Sequence, residues 1–199
     1  MPNEKFQNQY RISSARAQWW NYGWNAAYFI TICTANREHY FGEIVNGNMQ
    51  LSEIGEIANV LWNEIKNHAK NIELDAFCIM PNHVHGILIL TNDENVPNGV
   101  VETRHAVETR HALSLRRQTA SIQTPGQQRF QNQGKNTVSS IIGGYKSAVT
   151  KKSHPIHADF EWQSRFHDHI IRNTTEMNRI ADYIINNPNN WQEDKFYSQ

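Results

Sequence analysis

The sequence predicts an α+β fold, a four-stranded antiparallel sheet in βαββαβ order with one further helix towards the C-terminus. Three observations carry this. Four short runs rich in aromatic and β-branched residues punctuate the chain. Two amphipathic helical stripes fall between them and a third follows the last. A Pro-Asn pair joins the middle two runs as a tight hairpin turn.

In order, YFITICT (28–34) reads as the first strand. FGEIVNGNMQL places Asn46-Gly47 between two short alternating runs, a small hairpin. Ser52 reads as an N-cap, and Ile54, Ile57, Ala58, Leu61, Trp62, Ile65 and Ala69 fall at helical spacing, which predicts a helix over about 53–69. IELDAFCIM (72–80) and HVHGILILT (83–91) are the second and third strands, with Pro81-Asn82 at the turn. Val138, Ile141, Ile142, Tyr145, Ala148 and Val149 form the stripe of a second helix. SRFHDHIIR (164–172) contains the fourth strand, and TTEMNRIADYIINN (174–187) is a last helix capped by Thr174 and stopped by Pro188. Its expected stripe is Met177, Ile180, Ala181, Ile184 and Ile185. The first six elements make the ferredoxin-like pattern, an antiparallel sheet with helices on one face.

The length of 199 residues suits a single domain, 1–199, with a core of about 26–91 and 136–191. Residues 92–135 change character and carry VETRHA twice in tandem, at 101–106 and 107–112. Two short copies do not make a solenoid, and the segment reads as a disordered insertion in which His105 and His111 are bystanders. The polar start lacks an apolar signal core and no stretch approaches a membrane span, so a soluble, cytoplasmic protein is expected. Cys33 and Cys78 each sit in an apolar strand-like run and read as reduced, buried thiols. Net charge is zero but unevenly spread: residues 1–98 carry six Lys/Arg and ten Asp/Glu, and residues 99–199 carry thirteen and nine. A basic segment of this kind suits either a polyanion track or a solvated loop.

CIMPNHVHGILIL holds the feature that points to chemistry. Side chains alternate across a strand, so His83 and His85 share one side while Val84 joins Leu88 and Leu90 on the other. Two imidazoles about 7 Å apart along a strand can converge on one ion, although an isolated H-x-H is more often a pair of ordinary half-buried histidines. The third histidine of an H-x-H-x-H nucleotide hydrolase is absent, since Ile87 stands there. The chain is too short for the eight βα units of an amidohydrolase barrel. His-hydrophobic-His on a hairpin in a small antiparallel sheet does suit the HUH nucleases, which also need a nucleophilic tyrosine. Helical phase puts Tyr145 on its stripe and in the core. Tyr183 falls well off the stripe of the last helix, with Asn187 one turn further on the same side. Phase alone leaves Tyr183 equally readable as a half-exposed packing residue.

Four stretches together, AYFITICTANREHYFGEI (27–44), ELDAFCIMPNHVHGILIL (73–90), VSSIIGGYKSAVTK (138–151) and WQSRFHDHIIRNTTEMNRIADYIINNPNNW (162–191), resemble the single-tyrosine HUH transposases, in the branch of the REP-associated tyrosine transposases. The resemblance implies a metal-dependent enzyme that cuts and rejoins single-stranded DNA at or near a hairpin, with Tyr183 as nucleophile and His83, His85 and Asn187 as ligands of Mg²⁺ or Mn²⁺. Other members of the family have Gln where Asn187 stands. Imidazole is an unusual ligand for Mg²⁺, so the ion should be completed by water and phosphate oxygens. Expected phosphate contacts are Arg165, His167, His169 and Arg172, leading to the last helix, and Lys146, Lys151 and Lys152 on or after the preceding one. The implied partner is single-stranded or hairpin DNA, with no membrane, and the implied state is a monomer or homodimer associated with the nucleoid. Two further readings stand beside it: a rolling-circle-type HUH nickase, which the short chain without a helicase region disfavours, and a domesticated hairpin-binding protein without turnover.

Overall fold

The computed structural model describes residues 5–6, 9–10, 20, 22–91 and 136–197. The insertion expected over 92–135, with its tandem repeat, lies outside the described residues. A two-residue ladder, β1 (Lys5–Phe6) with β2 (Gln9–Tyr10), precedes the predicted elements. Then come β3 (Ala26–Cys33), the hairpin β4 (Gly42–Val45) and β5 (Asn48–Leu51), α1 (Glu53–His68), β6 (Ile72–Met80), β7 (His83–Leu90), α2 (Val138–Ser153), β8 (His167–Ile171) and α3 (Thr174–Asn186). The main sheet runs β6-β7-β3-β8 with every neighbour antiparallel, so β3 and β7 are paired on both sides. That position explains their composition. Every residue of β7 is buried, which only a near-continuous apolar run tolerates, and the two histidines are the exceptions within it.

Alternation divides the core into two. Tyr28, Ile30, Ile32, Val84, Leu88 and Leu90 face α1 and α2. Ala27, Ile87, Ile89 and Ile171 face the other way, against Met177, Ile180, Ala181 and Ile184 of α3. The expected one-sided placement therefore holds for the first two helices, and the added helix covers the opposite face of the sheet.

Local signals account for most boundaries. Asn46 and Gly47 both have positive φ, 52° and 75°, as a tight hairpin with matching twist requires. Ser52 accepts from the Gly55 N–H at 3.1 Å and caps α1. Two expectations for α3 are corrected. Its cap is Asn173, not Thr174: Asn173 is extended and its side chain accepts from the Glu176 N–H at 2.8 Å, leaving Thr174 as the first helical residue. Ile185 is off the stripe and 61% exposed, because the sheet takes up only the face centred on Ile180 and Ile184.

Gly86 is fixed by packing. The Trp62 ring lies directly where a Cβ at 86 would project, while it also stacks on Phe77 at 5.9 Å and meets Tyr145 edge-on at 5.2 Å. The aromatic network leaves Trp62 no room to retreat. Gly86→Ala is therefore expected to destabilise the fold by about 1–3 kcal/mol through overpacking. Urea unfolding should show a lower midpoint with an unchanged slope.

Candidate metal and tyrosine site

The face of β7 that meets α3 carries His83 and His85 at its turn end, both wholly buried. Their rings lie 4.4 Å apart, centroid to centroid, closer than strand spacing alone would set. Each ring is oriented by a neighbour. His83 Nδ1 is 2.8 Å from Asn82 Oδ1, and the Asn82 amide is turned this way because its Nδ2 donates to the Phe196 carbonyl at 2.9 Å. An amide oxygen only accepts, so His83 Nδ1 carries the proton and Nε2 keeps its lone pair. That Nε2 is buried and has no hydrogen-bond partner among the described residues. His85 Nδ1 sits 2.9 Å from the Thr31 hydroxyl on β3, and His85 Nε2 is 3.3 Å from the Tyr183 hydroxyl.

Tyr183 leaves the stripe of α3 as its phase predicts and is 41% exposed. Its ring meets Phe29 edge-on at 6.2 Å, and its hydroxyl donates to Asp194 Oδ2 at 2.9 Å. Asn187, at the C-cap of α3, is only 2% exposed; its Nδ2 donates to the same Asp194 oxygen at 2.8 Å. Its Oδ1 is buried and without a hydrogen-bond partner among the described residues.

Asp194 is the residue that sequence reasoning missed. It lies in the segment that follows α3, where Pro188 ends the helix and a single 3-10 turn over Trp191–Glu193 reverses the chain. Trp191 is buried 6.0 Å from the His83 ring, Phe196 packs 4.7 Å from it, and Arg37 donates to the Lys195 carbonyl at 3.1 Å. This anchoring returns the carboxylate to the site. Ligand-type atoms of His83, His85 and Asp194 lie within 4.8 Å of one another. A divalent ion fits the donor set on two counts: the carboxylate and imidazoles are close enough to share it, and among the buried atoms without a hydrogen-bond partner within the described residues are His83 Nε2 and Asn187 Oδ1, both ligand atoms.

The remaining predicted contacts separate by location. His169 lies on the α3 side of the sheet but is held by Glu176 at 2.8 Å, and the other Glu176 oxygen accepts from the Arg172 N–H, so this pair fastens the start of α3 to β8. Arg165, His167 and the Arg172 side chain are exposed. Lys146, Lys151 and Lys152 ride on α2, across the sheet from the histidines; Lys146 Nζ is engaged by the Gln163 carbonyl at 2.6 Å, while Lys151 and Lys152 are exposed.

Electrostatics keep the histidines ready to bind a cation. Burial, with His85 beside it, holds His83 well below the usual imidazole range, and burial lowers His85 from 6.5 to about 4. Burial and the neighbouring Asp194 raise the Tyr183 phenol above its ordinary value, so it rests protonated. The lowered imidazoles have a consequence for stability. The unfolded chain takes up these protons near pH 6.5, whereas the folded chain resists them until about pH 4 for His85, and burial holds His83 well below its ordinary range too. Stability is thus full above pH 6.5 and lost as pH falls through that window, by about 3 kcal/mol for His85. Urea unfolding of the metal-free protein across pH 4–7 should show this slope, and His85→Gln should reduce it.

No family model matches the chain. An uncharacterized protein of Haemophilus influenzae is 33% identical over 185 residues, spanning 92% of each chain. Among solved structures, a REP-associated tyrosine transposase bound to a REP hairpin superposes with a TM-score of 0.53 at 20% identity, over 89% of this chain and 73% of that one. The four-stranded antiparallel sheet, its paired helices and the C-terminal helix are common to that fold, and among the described residues no helix is long and apolar enough to cross a membrane. The chain therefore belongs to one family with the Haemophilus influenzae protein, and its fold is that of a REP-associated tyrosine transposase.

Proposed function

We propose that the protein is a transposase-like, divalent-metal-dependent endonuclease and strand transferase that cleaves single-stranded DNA at or near a hairpin through a 5′-phosphotyrosine on Tyr183. The observation that carries this reading is the approach of the Tyr183 hydroxyl to His85 Nε2, 3.3 Å, within one chain. A tyrosine leaving the core face of its helix and a histidine pair from the opposite element meet at one point, as nucleophile and metal site must. Their meeting within a single chain supports action in cis. The hairpin-bound transposase of the same fold supports a DNA hairpin as partner.

His83, His85 and Asn187 would hold the ion, with the Asp194 carboxylate close beside the histidines. When bound, Mg²⁺ or Mn²⁺ supplies polarisation of the scissile phosphate and neutralises charge that develops on it. The chain supplies the rest. The α3 helix aims the phenol oxygen of Tyr183 at the phosphorus. Its proton has an acceptor at Asp194 Oδ2, 2.9 Å away. The Tyr183 O–P bond forms as the P–O3′ bond breaks, and the departing 3′ oxygen takes up a proton. The link retains the phosphodiester energy, so a second 3′-hydroxyl can reverse the step and rejoin DNA without ATP. Arg165, just before β8, and Arg172, between β8 and α3, are exposed and are proposed phosphate contacts, as are His169 and the α2 lysines Lys146, Lys151 and Lys152 at greater remove.

The test is incubation with Mn²⁺ and hairpin-bearing single-stranded DNA labelled at its 3′ end. The expected result is label in a protein-sized band on a denaturing gel, because the 5′ end of the downstream fragment stays on Tyr183. Adducts formed equally well without any hairpin would favour the rolling-circle-type nickase. Hairpin binding with no adduct would favour the binding protein without turnover.

A further inference from the structure

Asn187 presents a problem of orientation. An amide can offer either its oxygen or its NH₂ group to a site, and only the oxygen is a ligand atom. The amide is 2% exposed, so water does not settle the choice. One contact does: Nδ2 donates to Asp194 Oδ2 at 2.8 Å, which leaves Oδ1 buried and without a hydrogen-bond partner among the described residues. A carboxylate has no proton to donate, so it accepts only the NH₂ edge of the amide. The same oxygen accepts the Tyr183 hydroxyl, and Oδ1 of the carboxylate is taken by the Phe196 N–H at 2.6 Å. Three donors from α3 and the local backbone therefore fix the orientation of the Asp194 carboxylate. The carboxylate is itself held in place, since its flanking residues are tied to Asn82 and Arg37.

We propose that Asp194 is a positioning residue: its carboxylate clamps the Asn187 amide with Oδ1 free for a divalent cation and fixes the direction of the Tyr183 hydroxyl in the same grip. This rests on the reading of His83, His85 and Asn187 as a metal site, and it assigns Asp194 to act through Asn187. Groups that orient ligands in this way typically change metal affinity by about 10–100-fold when removed.

A double-mutant cycle on Mn²⁺ affinity tests this, measured by calorimetry or by the paramagnetic signal of free Mn²⁺ on the full-length protein without DNA. Asp194→Ala is expected to weaken Mn²⁺ by about tenfold or more. Asn187→Ala should weaken it similarly, and Asp194→Ala in the Asn187→Ala background should add nothing, since the group it orients is gone. Asp194→Asn keeps an accepting oxygen and should lose less than Asp194→Ala. Unchanged affinity in Asp194→Ala overturns the proposal. So does a full additional loss in the Asn187→Ala background, which would make Asp194 an independent ligand, and so does an equal loss in Asp194→Asn and Asp194→Ala, which would make charge rather than the hydrogen bond the cause. Melting of each variant in EDTA separates loss of the fold from loss of the clamp, and Asp194→Asn carries the test where Asp194→Ala fails to fold. If Mn²⁺ binds as tightly to His83→Ala and His85→Ala as to the wild type, the metal reading itself fails, a result that the Asp194 cycle alone does not produce.

Discussion

Replacing Tyr183 with phenylalanine is expected to abolish the protein–DNA adduct and to lower single-strand cleavage by about 10³-fold or more, as removal of a catalytic nucleophile does elsewhere. The substitution removes one oxygen and little else. The ring keeps its edge-on contact with Phe29 and its packing beside His85. Asp194 Oδ2 keeps the Asn187 donor after the phenol is gone, so no buried carboxylate is left unpaired. With the side chain partly exposed, the stability change should stay within about 1 kcal/mol. Hairpin affinity, measured by fluorescence anisotropy, should be near wild type, since the phenol is proposed to attack rather than to bind. An adduct formed by Tyr183→Phe at the wild-type rate would move the nucleophile to another residue. Loss of binding together with cleavage would mean that the hydroxyl organises the site rather than reacts in it.

That prediction rests on a position the sequence made legible, and the neighbouring residues show where legibility stops. Tyr183 could be singled out because helical phase is a strict geometric constraint: a residue off the stripe of an amphipathic helix faces away from the core it packs on. His83 and His85 were legible for the same reason, through the two-residue period of a strand. The antiparallel βαββαβ pattern followed from hairpin and crossover signals, and β3 and β7 were legible as strands because their runs are largely apolar and β-branched. Asp194 has no such marker. It follows Pro188 in a segment with neither period, and its arrival at the histidines depends on Trp191, Phe196 and Arg37 packing a turn that no local preference encodes. Asn82 and Thr31 were legible as turn and strand residues, but their work of orienting His83 and His85 depends on pairing between elements far apart in the chain. The shift of the α3 cap from Thr174 to Asn173 is a smaller miss: adjacent capping residues compete, and the one whose backbone stays extended wins. Ile185 was assigned to the stripe because it is apolar, yet it sits 100° from Ile184, beyond the strip that the sheet covers.

His83→Ala and His85→Ala are each expected to abolish Mn²⁺-dependent cleavage and to weaken Mn²⁺ by more than about 100-fold, beyond what loss of an orienting neighbour causes. Their effect on the metal-free fold should be smaller than burial suggests. Truncating a fully buried ring opens a cavity among Phe196, Trp191 and Phe29, which costs about 2–3 kcal/mol at an apolar site. Against this, the ring removed is a desolvated polar group, and for His83 one nitrogen has no hydrogen-bond partner among the described residues. Removing it takes away an uncompensated atom, so part of the cavity cost is offset. His85 differs, because both its nitrogens have neighbours: Thr31 on one side and Tyr183 on the other. His85→Ala should therefore be the more destabilising of the two in EDTA. Adding Mn²⁺ should reverse the comparison with the wild type. A ligand at 100 times its Kd stabilises the folded state by about 2.7 kcal/mol, so wild-type melting should rise with Mn²⁺ while neither variant responds. If His83→Ala melted lower than His85→Ala in EDTA, the unpartnered Nε2 would not be the liability that its burial implies. If Mn²⁺ raised both variants as much as the wild type, the ion would be bound elsewhere on the protein.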